Sequence, residues 1–300
     1  MVGSTSRGVF GPGRGSLLLP ACAALLWACG LAPPDPQEKA ATPPPPAAPV
    51  ANPPDAPTLP PPGYQLAWEE DFAGTTVDTS KWTAMTGPRR DAQNTQDAVS
   101  VNGGLLSVTT YTEAGVHKTG FLSTDGKFEP TYGYFEARVK FQDAPGEWCA
   151  FWLQSPTNGQ PLGAPAQAGV EIDIVEHRVT DQSGGKFADA VALNLNWDGY
   201  GPERQNRQRV TALPGGGAVQ GQWHTYGVLW TSTGYTFYVD AVPLWTIADA
   251  VSQRSESLEL TCEVQDASWA GFIPKAGYGD RATSTTGMQV DWVRVWQKPP

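Results

Sequence analysis

The sequence is short of basic charge, of histidine and of long apolar runs, and each shortage removes a class of function. Twenty Lys and Arg stand against thirty Asp and Glu, a formal net charge of -10. That balance excludes a nucleic-acid partner, speaks against electrostatic attachment to an anionic membrane, and puts a neutral polymer ahead of a heavily sulfated one as substrate. The three histidines, His117, His177 and His224, have no metal-ligand spacing, and His177 reads as a packed residue. No Gly-rich phosphate loop and no nucleophilic serine elbow is present. The apolar run from Ser16 to Ala28 is too short to span a membrane. Helical periodicity is missing between the apolar segments, which excludes an α/β fold.

What the N-terminus does contain is an export pattern. Arg7 and Arg14 precede the apolar run, as in a signal peptide. The run closes on Leu26-Trp27-Ala28-Cys29, which resembles a bacterial lipobox, so residues 1–28 are expected to be removed and Cys29 to carry lipid. Residues 29–62 follow as a tether: fourteen of the chain's 28 prolines fall between Pro33 and Pro62, a composition that builds no core. In polyproline form the thirty residues from Pro33 to Pro62 reach roughly 90 Å. The expected location is therefore outside the cytoplasm, lipid-anchored to the bacterial cell envelope or secreted, with the membrane contacted only through the lipid. Two cysteines remain, Cys149 and Cys262. A bridge in an oxidising compartment and two buried thiols are equally open readings.

Residues 63–300 read as one all-β domain, a sandwich of short strands separated by Gly, Asp, Asn and Pro turns. Strands are expected over 105–111, 133–141, 148–153, 191–197, 223–230, 235–240, 257–264 and 289–297, with 159–169 and 199–221 as loops. Period two sets Trp148, Ala150 and Trp152 opposite Cys149, Phe151 and Leu153, and Asn194 and Asn196 opposite Leu193 and Leu195.

The stretch of greatest chemical interest is Glu171-Ile172-Asp173-Ile174-Val175-Glu176. Alternation puts Glu171 and Asp173 on one face but would send Glu176 into the core beside the isoleucines. Burying an ionised Glu there costs several kcal/mol, so one extra residue near Val175, a β-bulge, is expected to return Glu176 to the acid face. Glu171 and Glu176 then lie about 13 Å apart along the backbone, and their side chains can lean to about 5–6 Å, the spacing of a retaining glycosidase pair. Tryptophan faces and amide groups beside such a pair suit sugar rings and hydroxyls.

With that motif in place the chain resembles glycoside hydrolase family 16. Supporting blocks are Gly133-Tyr134-Phe135-Glu136-Ala137-Arg138, Gly146 to Leu153, Trp223-His224-Thr225-Tyr226-Gly227 leading to Tyr238-Val239-Asp240, and Val290 to Val295. The acid hexapeptide is similar to the bulged signature of laminarinase-type members. The resemblance implies a β-jelly roll of two curved antiparallel sheets, concanavalin A-like, spanning residues 63–300 as the catalytic domain. It implies an endo-acting enzyme that retains anomeric configuration, with Glu171 as nucleophile, Glu176 as acid/base and Asp173 between them. Trp148, Trp152, Asn196, Arg138 and Trp269 would bind substrate. The implied substrate is a β-1,3- or β-1,3-1,4-glucan, with galactan-type polymers, transglycosylation and sugar binding without catalysis as alternatives. Catalysis would need no cofactor and the protein would act as a monomer. A structural calcium ion in many members matches Asp71, Gly103 and Asp291, although Glu70-Asp71-Phe72 inverts the usual acid order. The chain also departs from laminarinase-type members in having Asn196-Trp197 where a His often stands, and no Arg within Gly120 to Ser123.

Overall fold

A computed structural model describes residues 60–299. The leader, Cys29 and the proline-rich stretch up to residue 59 lie outside the described residues. Where the sequence alternates, strands form, and they assemble into two large sheets. One has seven strands in the order Gln205–Ala212, Ala190–Trp197, Glu171–His177, Glu147–Gln154, Ser257–Val264, Phe121–Ser123 and Thr83–Ala84. The other has eight, with Gly133–Gln142 and Gly287–Gln297 side by side at its centre. Every pairing within these two sheets is antiparallel, as expected for the all-β sandwich.

The core fills the space between them. Phe135, Val139 and Phe141 from the eight-stranded sheet meet Phe151, Ile172, Leu193 and Leu260 from the seven-stranded one, all fully buried. Each such side chain contributes about 1.5–3 kcal/mol by leaving water. Cys149 and Cys262 face each other on neighbouring strands of the seven-stranded sheet and are joined as a disulfide, which resolves the pairing left open by the sequence. Glu147 lies close to both sulfurs, but a bridged pair has no thiolate to offer a metal.

Expected strands are present with ends moved by a residue or two, and the turn at Gly103-Gly104, both at positive φ, joins Val99–Asn102 to Leu105–Thr109. The expected loop 199–221 needs correction, because Gln205–Ala212 forms the outermost strand of the seven-stranded sheet. Its sequence, Gln-Asn-Arg-Gln-Arg-Val-Thr-Ala, has no apolar alternation because neither face is packed on the core. Backbone pairing to Ala190–Trp197 alone puts it in the sheet, and its polar character suits an edge. A further small sheet, Gly87–Arg89, Ala92–Asn94, Val116–Thr119 and Tyr111–Glu113, also has no clear signal in the sequence.

Candidate active site

The outer face of the seven-stranded sheet carries an open cleft of about 650 Å³, and its floor is the acid strand Glu171–His177. Asp173 pairs with Asn194 and Glu176 with Ala192, so Leu193 alone faces both Ile174 and Val175. The same irregularity appears against the other neighbour, where Trp152 pairs with Asp173 and Phe151 with Val175. This is the expected bulge. Ile172, Ile174 and Val175 are all completely buried, while Glu171, Asp173 and Glu176 all line the cleft. His177, next in line, points inward, bonded to the Asp143 carboxylate and to the Ala188 carbonyl and stacked on Phe141.

Hydrogen bonding separates the acids. Asn196 uses its side-chain amide to donate to Glu171 Oε1 (2.8 Å) and to Asp173 Oδ2 (2.9 Å). The Tyr200 hydroxyl donates to Glu171 Oε2, so both oxygens of Glu171 are held. Glu176 receives one donor, the Asn194 amide. Burial pushes all three carboxyls up. For Asp173 the neighbouring Glu171 and Glu176 add to it, and for Glu176 burial, Glu171 and Glu263 together raise the group to about 8. At Glu171 the influence ranking next to burial is an opposing one, the Tyr200 donor, with Arg204 after it, whereas at Glu176 the opposing Arg90 and Asn194 rank behind burial and two carboxylates. The site thus favours an anion at 171 and a protonated acid at 176, two roles set by environment rather than residue type.

Three indoles border these acids. Trp148 and Trp152 come from Glu147–Gln154, and Trp269 packs edge-on against Trp148 at 5.5 Å. Trp152 is fixed by its own N–H donated to Thr261 Oγ1 at 3.1 Å. Asn196, Trp148, Trp152 and Trp269 are therefore all brought to the cleft as the sequence predicts.

Arg138 is not. It lies on the outer face of the eight-stranded sheet, where its Nη1 donates to Asp291 Oδ2 at 2.7 Å and its guanidinium stacks on Trp223. Alternation correctly separates Arg138 from the core but cannot say which sheet its strand joins. The same ion pair corrects the calcium expectation. The Asp291 carboxylate is neutralised by Arg138, while Asp71 is exposed and accepts the Ala73 N–H. The inverted acid order turns Glu70 inward instead, its Oε1 accepting the Phe72 N–H at 2.9 Å. Asp71, Gly103 and Asp291 do not fit a hard cation.

Several cleft residues have no expectation behind them. Glu263 is almost fully buried and clamped by Arg89, with N···O distances of 2.6 and 2.5 Å, and by Arg90. Its polar alternation with Glu259 and Thr261, opposite Leu258, Leu260 and Cys262, is visible in the sequence and was the available signal. Arg90 also stacks on Trp148, and Arg89 on Phe121, so a hairpin arginine reaches the segment whose own arginine is missing. Arg178 sits between Phe187 and Trp269, and Arg204 donates to Asn196 Oδ1. Four guanidiniums in one cleft show that the overall negative charge does not describe the site.

Comparison with known proteins agrees with this geometry. The family model described as "Beta-porphyranase A-D, GH16 domain" matches residues 67–298. The chain is 25% identical over 238 residues to endo-1,3-1,4-beta-glycanase ExsH of Rhizobium meliloti, covering 76% of this chain and 46% of that protein. It is 30% identical over 191 residues to beta-porphyranase C of Zobellia galactanivorans, covering 56% and 52%. The chain thus spans about half the length of these relatives. The catalytic domain of an endo-1,3-beta-glucanase (laminarinase) from Thermotoga petrophila shares the fold, with a TM-score of 0.62 at 21% identity over 79% of this chain and 99% of that one. A family model covering nearly the whole described domain, on a jelly-roll fold whose bulged strand presents three acids to an open cleft, establishes that this chain belongs to glycoside hydrolase family 16.

Proposed function

We propose that the protein is a retaining endo-β-glycanase that cleaves a β-linked polysaccharide by double displacement. The observation that carries this reading is the division of labour between Glu171, held by two donors, and Glu176, held by one and raised to about 8. Glu171 attacks the anomeric carbon while Glu176 gives its proton to the departing glycosidic oxygen. A water molecule, deprotonated by Glu176, then releases the glycosyl group from Glu171. Asp173 shares the Asn196 amide with Glu171, and burial together with its two acid neighbours pushes its own carboxyl well up, so it adds little negative charge against the nucleophile. No step calls for a cofactor. An open cleft lined by indoles suits internal segments of a long chain.

A β-1,3- or β-1,3-1,4-glucan is the first substrate reading, supported by the glycanase and laminarinase relatives. A galactan-type polymer is the second. It is favoured by the description of the matching family model and by the four cleft arginines, which suit a chain bearing anionic substituents. The test is release of reducing ends by the purified protein from laminarin, lichenan, agarose, carrageenan and porphyran. Activity on none of them would remove the hydrolase reading, and accumulation of longer products at high oligosaccharide concentration would favour transglycosylation. The N-terminal pattern supports export with lipid on Cys29, and a single chain provides every residue of the mechanism, consistent with action as a monomer.

The acid role of Glu176 fixes one arm of the pH profile. Activity needs its proton, so kcat/KM is expected to fall as pH rises through about 8. A profile with no alkaline loss up to pH 10 would remove Glu176 from the acid role.

A further inference from the structure

Residues 198–204 form neither strand nor helix, yet two of their side chains reach the centre of the cleft. Arg204 holds Asn196, and the Tyr200 ring lies 61% exposed at the mouth with its hydroxyl turned in to Glu171. That hydroxyl is itself held: Gln154 Nε2, at the end of the strand bearing Trp148 and Trp152, donates to it at 2.9 Å. A relay therefore runs from Gln154 through Tyr200 to Glu171 Oε2, while Asn196 holds Oε1 from the opposite side.

The loop is fastened in this position. Asp198 and Gly199 both adopt positive φ. The Gly163 N–H donates to Asp198 Oδ1 at 2.7 Å and the Gly199 N–H to Asn158 Oδ1 at 3.2 Å. Gly159 and Gly199 approach so closely that a Cβ on Gly159 would stand 2.6 Å from the Gly199 nitrogen. The loop is thus zipped to the 155–169 segment along its first residues, which delivers Tyr200 at a defined height above the acid strand.

We propose that Tyr200 is a positioning residue for the nucleophile, its hydroxyl fixing the orientation of the Glu171 carboxylate and favouring its ionised form. The inference rests on the glycanase reading above. A donor to a carboxylate stabilises the anion, and with Asn196 already shared between two acids, Tyr200 is the donor to Glu171 that no second carboxylate shares; its other acceptor is the neutral Gln154 Oε1 at 3.3 Å. The ring is exposed but the hydroxyl is turned into the site, where desolvation and the facing Glu171 carboxylate keep it protonated far above the ordinary phenol range, so it remains a donor at every working pH. The bland alternative is an exposed aromatic that stacks on a sugar ring, for which the hydroxyl would be irrelevant.

Y200F separates the two, because it keeps the ring and removes only the O–H. The expected result is a fall in kcat of about ten- to a hundredfold, the scale of one lost hydrogen bond to a charged group. KM should change little, the thermal midpoint should not move, and the acidic limb of the kcat/KM profile should shift to higher pH as Glu171 loses a donor. An active wild type whose Y200F variant keeps both kcat and the acidic limb overturns this inference alone. A wild type that cleaves no polysaccharide overturns the functional reading, and this inference with it.

Discussion

Glu171→Gln is expected to abolish hydrolysis, by about four orders of magnitude or more, while leaving polysaccharide affinity close to that of the wild type. The substitution keeps size and shape, so the acid strand and its bulge are undisturbed. What it removes is the anion that forms the covalent bond. Binding is expected to survive because Trp148, Trp152 and Trp269 supply stacking surface without help from that carboxylate. Glu176→Gln should fail differently. With natural polymers the leaving sugar needs a proton and the rate collapses. With an activated aryl glycoside it does not, so the first step survives and the glycosyl-enzyme accumulates until a small anion such as azide removes it. The two variants together distinguish an enzyme from a carbohydrate-binding module, in which neither carboxylate would matter more than any other cleft residue. Retention of hydrolysis within tenfold in Glu171→Gln would sink the proposed mechanism.

Joint replacement of Cys149 and Cys262 by Ala is expected to lower stability by about 2–5 kcal/mol, and the melting midpoint by about 5–15 °C for a domain of this size. The bridge closes a loop of 113 residues, and chain-entropy reasoning assigns the larger effects to long loops. Its placement also matters for the cleft. Cys149 lies between Trp148 and Ala150, and Cys262 between Thr261 and Glu263, so each half-cystine is flanked by residues of the cleft face. The bond ties two strands on the core side whose other side builds the sugar-facing surface. Thermal melts of the wild type with and without reductant, beside the double variant, provide the check. Midpoints that coincide would mean that the bridge does not hold these strands.

Much of the site is legible in six residues, because one energetic argument dominates there. A carboxylate cannot share a face with Ile172 and Ile174 inside a sandwich, and the bulge follows from that cost. Trp148, Trp152 and Asn196 are legible for a related reason, since each sits in a strand whose alternate residues are plainly apolar. Arg138 shows the limit of the same reasoning: period two assigns a residue to a face of its strand, and pairing with 223–231 and 287–297 decides which sheet that face belongs to. Tyr200, Arg89, Arg90 and Arg204 are placed by loops and hairpins, where no periodicity exists to read. The edge strand Gln205–Ala212 was lost for the opposite reason, because its backbone pairs while its side chains face water on both sides.

Gln65 and Gln297, near the two ends of the described residues, are partners in the eight-stranded sheet, on the far layer from the three acids. Fusions or surface immobilisation at Gln65 or Gln297 are therefore expected to leave the cleft layer free to face its substrate.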